Sequence, residues 1–370
     1  MLTKMTLFEA RTGGYWNYRV PGILCTQNGI ILVSAESRRG TGSDWDGNDV
    51  LLRRSLDGGI TWESPQVVVQ SALYGDGPIS NFVMISDRAD SSVHVVYCYK
   101  YERVFSMHSI DDGATFSGPL DITATLKQFR NIYPWRVIAT GPGHGIQLAN
   151  GRLIVPVWMS DGGSARLGAR KLSHIPSEVA VIYSDDHGIT WQCGEFAART
   201  GKRIIHPSET AVVELSGGRV LFNIRSESKK NRRLISISPD GVHDWSPPQF
   251  DDALLEPVCF GSILKLRQPT AQGTNMILFA NPDNLENELI PPGGRLAHDR
   301  KQLTVKMSRD DCQTWPVSKV LESGPSGYSD LAEASDGTIL CIYECGMITH
   351  MCDPKTLTLV RFDTAWLREK

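Results

Sequence analysis

Short apolar runs bounded by turn residues recur along the whole chain: Gly29 to Val33, Val93 to Tyr97, Gly151 to Val155, Val179 to Tyr183, Gly218 to Phe222, Asn275 to Phe279 and Thr338 to Tyr343. Each is about four to seven residues long and most open on or just after Gly or Asn, which is the pattern of β-strands rather than helices. Helical periodicity is nearly absent. It is confined to a short turn between Asp121 and Phe129 and to the segment from Thr364 to Lys370. The chain is therefore expected to be all-β.

The polar stretches between these runs repeat. Ser55-Leu56-Asp57-Gly58-Gly59-Ile60-Thr61-Trp62 returns as Ser109 to Phe116 and as Ser184 to Trp191, with Ser, Asp, Gly, Thr and an aromatic in register. Two worn copies follow, from Ser308 to Trp315, where Cys312 replaces the expected Gly, and from Ser238 through Asp240-Gly241 to Trp245. An Asp carboxylate can accept backbone N–H bonds inside such a turn, Gly supplies a positive φ, and the aromatic covers the hairpin. Several copies in one chain mark internal repetition. Many short strands with repeated hairpins predict a β-propeller, which removes exposed sheet edges; a two-sheet sandwich would leave the repeats without a reason. Six blades of roughly 60 residues would use the length. Ring closure would pair Leu359 to Phe362 with the residues before Arg11.

The repeated spelling resembles the Asp-box, or BNR repeat, of the sialidase superfamily. There the box is a structural hairpin on the propeller rim, so it implies a six-bladed propeller and says nothing of chemistry. The Cys312 copy is expected to form a weakened turn.

Composition adds bounds. With 370 residues, 41% hydrophobic and 21% charged, and with no linker, residues 1–370 read as a single domain. The net charge of −3 and the lack of a long basic run argue against a nucleic-acid partner. Ser228 to Arg233, the densest basic patch, reads as a solvated hairpin loop. Eight Cys are scattered without zinc-ligand spacing, and Cys98 and Cys341 sit in strand-like runs as small core residues. Neither a cofactor nor a metal is expected. The amino terminus lacks the apolar core of a signal segment and no run could span a membrane, so a cytoplasmic location is favoured; secretion or a periplasmic location would require a signal peptide already removed.

Candidate chemistry rests on residues far apart in sequence. Arg19 precedes Val20-Pro21, which is expected to hold the backbone extended and aim the side chain; Arg225 lies in Asn223-Ile224-Arg225-Ser226, and Arg300 precedes Ser308 by about eight residues. Sialidases carry Arg-Ile-Pro and two later arginines as a triad around the substrate carboxylate, and these positions match it with one Ile-to-Val departure. Guanidinium is the side chain suited to bidentate carboxylate binding. Tyr328 in Gly327-Tyr328-Ser329-Asp330 matches the family's catalytic tyrosine and Glu209 its partner glutamate. The loop Gly42 to Asp49 offers three carboxylates. Register with the family favours Asp44 as acid/base, with Asp46 the alternative.

The resemblance also implies that Glu344 holds Arg19, that Arg38 lines the sugar 4-position, that Trp158 lies near the glycerol chain or aglycone, or else in the core, and that Asn81 belongs to the acyl-side pocket. His144, in the Gly141-Pro142-Gly143-His144 run, is expected to shape a loop. The implied activity is that of a retaining exo-α-sialidase with a Tyr nucleophile, acting on a sialylated glycan and falling off as pH rises past neutrality. Glycosidases for KDN or Kdo, a trans-sialidase, and a non-catalytic sialic-acid-binding propeller are the alternatives.

Overall fold

The computed structural model describes residues 2–163, 172–270, 273–289 and 298–369. The described residues form five antiparallel sheets. The first orders Asn17–Cys25, Ile31–Arg38, Asn48–Ser55 and Gln66–Val69, and the second Ile79–Ser86, Val93–Tyr99, Arg103–Ser109 and Leu120–Asp121. The third is built on Val137–Thr140, Leu153–Ser160, Ser177–Ser184 and Gln192–Ala198, and the fourth on Thr210–Glu214, Val220–Ile224, Arg232–Ser238 and Gln249–Leu255. The last has seven strands, because the 17-residue strand Val317–Glu333 pairs with Lys301–Ser308 through one part of its length and with Ile339–Cys345 through the other. Among the described residues α-helix is confined to Thr123–Leu126 and Thr364–Arg368, with short 3-10 turns at Ser71–Tyr74, Lys127–Asn131 and Ser216–Gly218.

Middle strands are buried on both faces: every residue of Ile31–Arg38, Val93–Tyr99 and Leu153–Ser160 is shielded. That explains their continuous apolar runs. Apolar clusters link neighbouring sheets in a closed circuit. Leu32 and Leu52 pack with Val95 and Tyr97, Val83 with Val155, and Val179 with Phe222 in a cluster spanning three sheets. Ala211 and Leu221 then pack with Ile263 and Phe279, and Leu340 and Leu357 with Ile23 and Val33. The arrangement is propeller-like, with four compact sheets and one seven-stranded sheet in place of six separate ones. Closure is made as expected, since Thr3–Glu9 pairs antiparallel with Thr356–Phe362.

The repeated turns are one device used several times. In the first, Ser55 Oγ accepts from Gly59 N at 2.8 Å, and Asp57 accepts from Thr61 N at 2.8 Å and Thr61 Oγ1 at 2.6 Å. The turns at Asp111, Asp186 and Asp310 repeat the Thr bonds. Cys312 keeps the geometry of the Gly it replaces, with φ +66° and its N–H 2.9 Å from Ser308 Oγ. A side chain in the left-handed region costs about 1–2 kcal/mol, so this copy carries strain while keeping its bonds.

Two local expectations are corrected. Val20 has φ +47° rather than an extended backbone, and a register shift lies between Arg19 and Gly22. Arg233 is not solvated: it is fully buried, donating to Glu256 Oε2 at 2.5 Å and Asn223 Oδ1 at 2.6 Å. The other end of that basic patch faces solvent at Lys229 and Lys230.

Candidate active site

Tyr328 lies on the strand Val317–Glu333, in the middle of the seven-stranded sheet, and the three arginines meet around its ring. The guanidinium carbons of Arg19, Arg225 and Arg300 lie 5.3, 6.0 and 5.3 Å from the ring centroid. Arg19 Nε donates to Glu344 Oε1 at 2.9 Å, and Val20 N–H donates to the same oxygen at 3.2 Å. Glu344 Oε2 accepts from Tyr328 N–H at 3.2 Å, so one buried carboxylate ties the first arginine to the tyrosine backbone. The chain must pass close to that carboxylate. A Cβ on Gly327 would stand 2.2 Å from Glu344 Oε2, which only glycine avoids.

On the other side of the ring, Tyr328 Oη donates to Glu209 Oε1 in a short hydrogen bond. Arg225 Nη1 donates to Tyr328 Oη at 2.6 Å and also to Glu209 Oε2. Burial pushes the phenol well above its ordinary value, and Glu209 adds to this against the opposing pull of Arg225, Arg300 and Arg19. Tyr328 is thus a neutral phenol in hydrogen-bond contact with a carboxylate that can take its proton. Arg300 Nη2 donates to the Val258 carbonyl at 2.7 Å. All three guanidiniums stay charged, because the anionic and polar groups around them outweigh burial.

Asp44 sits at the rim of this cluster. Its Oδ1 accepts from Arg38 Nη1 at 2.6 Å and lies 4.0 Å from Arg19 Nη1. Burial would raise its carboxyl, but Arg38, His174 and Arg19 together hold it well below the ordinary carboxylate range. In the free site Asp44 is therefore an anion, and loss of its proton sets in far below neutrality. Asp46 instead turns back on its own loop, accepting from Thr41 N and Oγ1 at 2.8 and 3.0 Å. Asp49 accepts from Tyr15 Oη and Arg39 in the same structural manner.

Arg38 is fixed by Glu36, whose Oε2 accepts at 2.7 Å while Oε1 accepts from Asn81 N–H at 2.8 Å. Glu36 was not singled out from sequence, yet Glu36 and Arg38 two apart on a strand share one face, which is a readable signal. Asn81 is buried with φ +55° and receives Thr140 Oγ1 at its carbonyl. Trp158 is buried beside Tyr101 and His174, ring centroids 6.3 and 5.4 Å away, and its indole N–H has no partner among the described residues. Trp45 stacks on His174 at 5.0 Å. Tyr101, His174 and Trp45 were missed because aromatics of a composite wall carry no local spacing. His144 plays the structural part expected of it, with Nδ1 2.8 Å from Asp330 Oδ1, and Asp330 also accepts from Ile23 N–H and Ser262 Oγ. That buried aspartate joins three inner strands two residues from Tyr328.

A hairpin-repeat propeller with an arginine cluster at its centre defines a class, and comparison with known proteins gives the family. Residues 29–341 match the BNR repeat-like domain model. A sialidase of Micromonospora viridifaciens is 32% identical over 96% of this chain and 52% of its own length, and one of Bacteroides fragilis is 27% identical over 90% and 61%. The chain belongs to the BNR-repeat sialidase family. It spans about half to three-fifths of those two relatives. Among solved structures, a Hadza microbial sialidase superposes with TM-score 0.78 at 22% identity, covering 98% of this chain and 69% of that one. An intramolecular trans-sialidase of Ruminococcus gnavus gives 0.77 at 16% identity, covering 99% and 98%. These two show a shared fold.

Proposed function

We propose that this chain is a retaining exo-α-sialidase on a six-bladed propeller, the seven-stranded sheet counting as two blades fused through Val317–Glu333. The observation that carries the reading is the meeting of Arg19, Arg225 and Arg300 around one phenol that is hydrogen-bonded to Glu209. Three converging guanidiniums favour a carboxylate, and a sialoside carries one on its anomeric carbon. That carboxylate would repel an attacking Asp or Glu. A neutral phenol avoids the repulsion, in keeping with the known exception of sialidases to the two-carboxylate rule.

In this mechanism the sugar carboxylate binds the three arginines and Tyr328 Oη attacks the anomeric carbon as its proton passes to Glu209. Asp44 protonates the departing oxygen, and in the second step it takes a proton from water as water displaces the phenol. Because Asp44 is an anion in the free site, its acid role requires that bound substrate change its surroundings. The incoming carboxylate draws on the charge of Arg19, which is one of the cations holding Asp44 ionised. Glu36 and Arg38 position Asp44, and Trp158, Tyr101 and Asn81 form the wall toward the sugar's acyl and glycerol groups.

Hydrolysis of an aryl α-sialoside, followed by NMR of the first-formed anomer, tests the reading; the α-anomer is expected and the β-anomer would refute retention. Parallel KDN and Kdo glycosides fix the sugar class. The fold shared with an intramolecular trans-sialidase makes product analysis part of the same experiment, with free sialic acid expected in place of an internal transfer product.

A further inference from the structure

Arg300 is 3% exposed and no carboxylate pairs with it among the described residues. Its Nε has no partner there, Nη2 meets the Val258 carbonyl, and Nη1 points at Cys352 Sγ 3.7 Å away. A buried cation without a counter-ion is a site for an anion. The side chain lying in it is a thiol. Cys352 is part-exposed and in no disulfide, and its backbone N–H donates to His350 Nδ1 at 3.2 Å.

We propose that Cys352 is a reactive thiol inside the arginine cradle and a modification site for small electrophiles that carry a carboxylate. The inference rests on the reading that Arg19, Arg225 and Arg300 together bind a carboxylate. Burial would push the thiol up, but Arg300, Arg19 and His350 bring it down to about 6, while Glu344 opposes them. Near neutrality the sulfur is therefore largely thiolate, the form that attacks. Three cysteines elsewhere contrast with it: Cys98, Cys193 and Cys259 are pushed up to about 12 by burial.

With iodoacetate the step is a simple displacement. The thiol proton has already passed to solvent, the sulfur pair forms the S–C bond to the methylene carbon, and iodide leaves with the C–I pair. The same cations that hold the thiolate gather the reagent's carboxylate.

The test uses the full chain, unmodified, treated near pH 7 with equal concentrations of iodoacetate or iodoacetamide, and peptide mass mapping of every cysteine over time. Ordinary thiols in water react faster with the neutral amide. Cys352 is expected to reverse that order, with an acetate-to-amide rate ratio about tenfold or more above that of part-exposed Cys345 in the same sample. Free N-acetylneuraminic acid is expected to slow its labelling, and Cys352→Ser to abolish the fast carboxymethylation. Absence of label on Cys352, or a ratio like that of Cys345, would overturn the proposal. Hydrolysis of an aryl sialoside, measured on the same unlabelled protein, separates the two failures. Activity with unselective labelling sinks only the inference, whereas selective labelling without hydrolysis sinks the reaction and leaves the cradle.

Discussion

Tyr328 Oη and Glu209 Oε1 share a short hydrogen bond at the centre of the molecule, although 119 positions separate the two residues in the chain. The phenol is held neutral, so the proposed attack by its oxygen would depend on a base already in contact. Tyr328→Phe keeps the ring among the arginines and removes the attacking oxygen. It is expected to lower kcat by at least about a hundredfold, with binding of a sialic-acid analogue retained by calorimetry. Glu209→Gln should lower kcat by a similar order through loss of the proton acceptor. Unchanged kcat in either variant would remove that residue from the reaction.

Asp44 should matter in proportion to how poorly the leaving group departs unaided. Asp44→Ala is expected to cost about 10²–10⁴-fold with a sugar leaving group and far less with an activated aryl group, read from kcat/KM for the two substrates. Equal losses would argue that the carboxylate acts on binding.

The pH dependence follows from the same pair. An acid works only while protonated, and Arg38 at 2.6 Å is the foremost cation keeping Asp44 ionised in the free site. Arg38→Gln removes that charge, so the Asp44 carboxyl rises toward its ordinary value. The falling alkaline limb of kcat for a sugar leaving group, which reports the substrate-bound enzyme, is expected to move to higher pH. A limb that stays in place, or moves lower, would contradict Asp44 as the group titrating.

Gly327 provides a steric test of the Glu344 bridge. Its missing Cβ would collide with Glu344 Oε2, so Gly327→Ala must push that carboxylate off either Arg19 or the Tyr328 N–H. The expected result is a rise in KM with a folded protein by circular dichroism, because Arg19 loses the partner that aims it. An unaltered KM would show that Glu344 is dispensable for aiming.

The rim turns should affect stability alone. Asp186→Ala removes the acceptor for Thr190 N and Oγ1 and is expected to cost about 1–2 kcal/mol. In a chain of this size that corresponds to a fall of about 1–3 °C in Tm, with kcat/KM unchanged. Acid should act in the same direction. The Asp111 carboxyl is held down at about 2 by its bonds to Thr115 and Ser109, which outweigh partial burial. Its contribution is present above the unfolded value of about 4 and is lost as pH falls toward 2.

Strands and turns were readable because each is written locally, as an apolar run or as Ser, Asp, Gly and Thr at fixed offsets. The fusion of two blades was not. Ser323-Gly324-Pro325-Ser326-Gly327 has the composition of a loop, yet the chain runs through it as strand with only register shifts. Arg233 likewise looks solvated among Lys and Asn, and only its buried partner Glu256 explains its place. The arginine, tyrosine and glutamate positions were found by likeness to a family, since nothing near each residue reveals the others. Cys352 carried no signal, because its character comes from two cations more than fifty positions away.

The pairing of Thr3–Glu9 with Thr356–Phe362 also governs how the molecule can be born. The strand Thr3–Glu9 has no neighbour in its sheet until Thr356–Phe362 has been made. Until then the nascent ring keeps one open seam, a ready template for a stray chain, and sealing it follows the making of every sheet in between rather than being a step along the way.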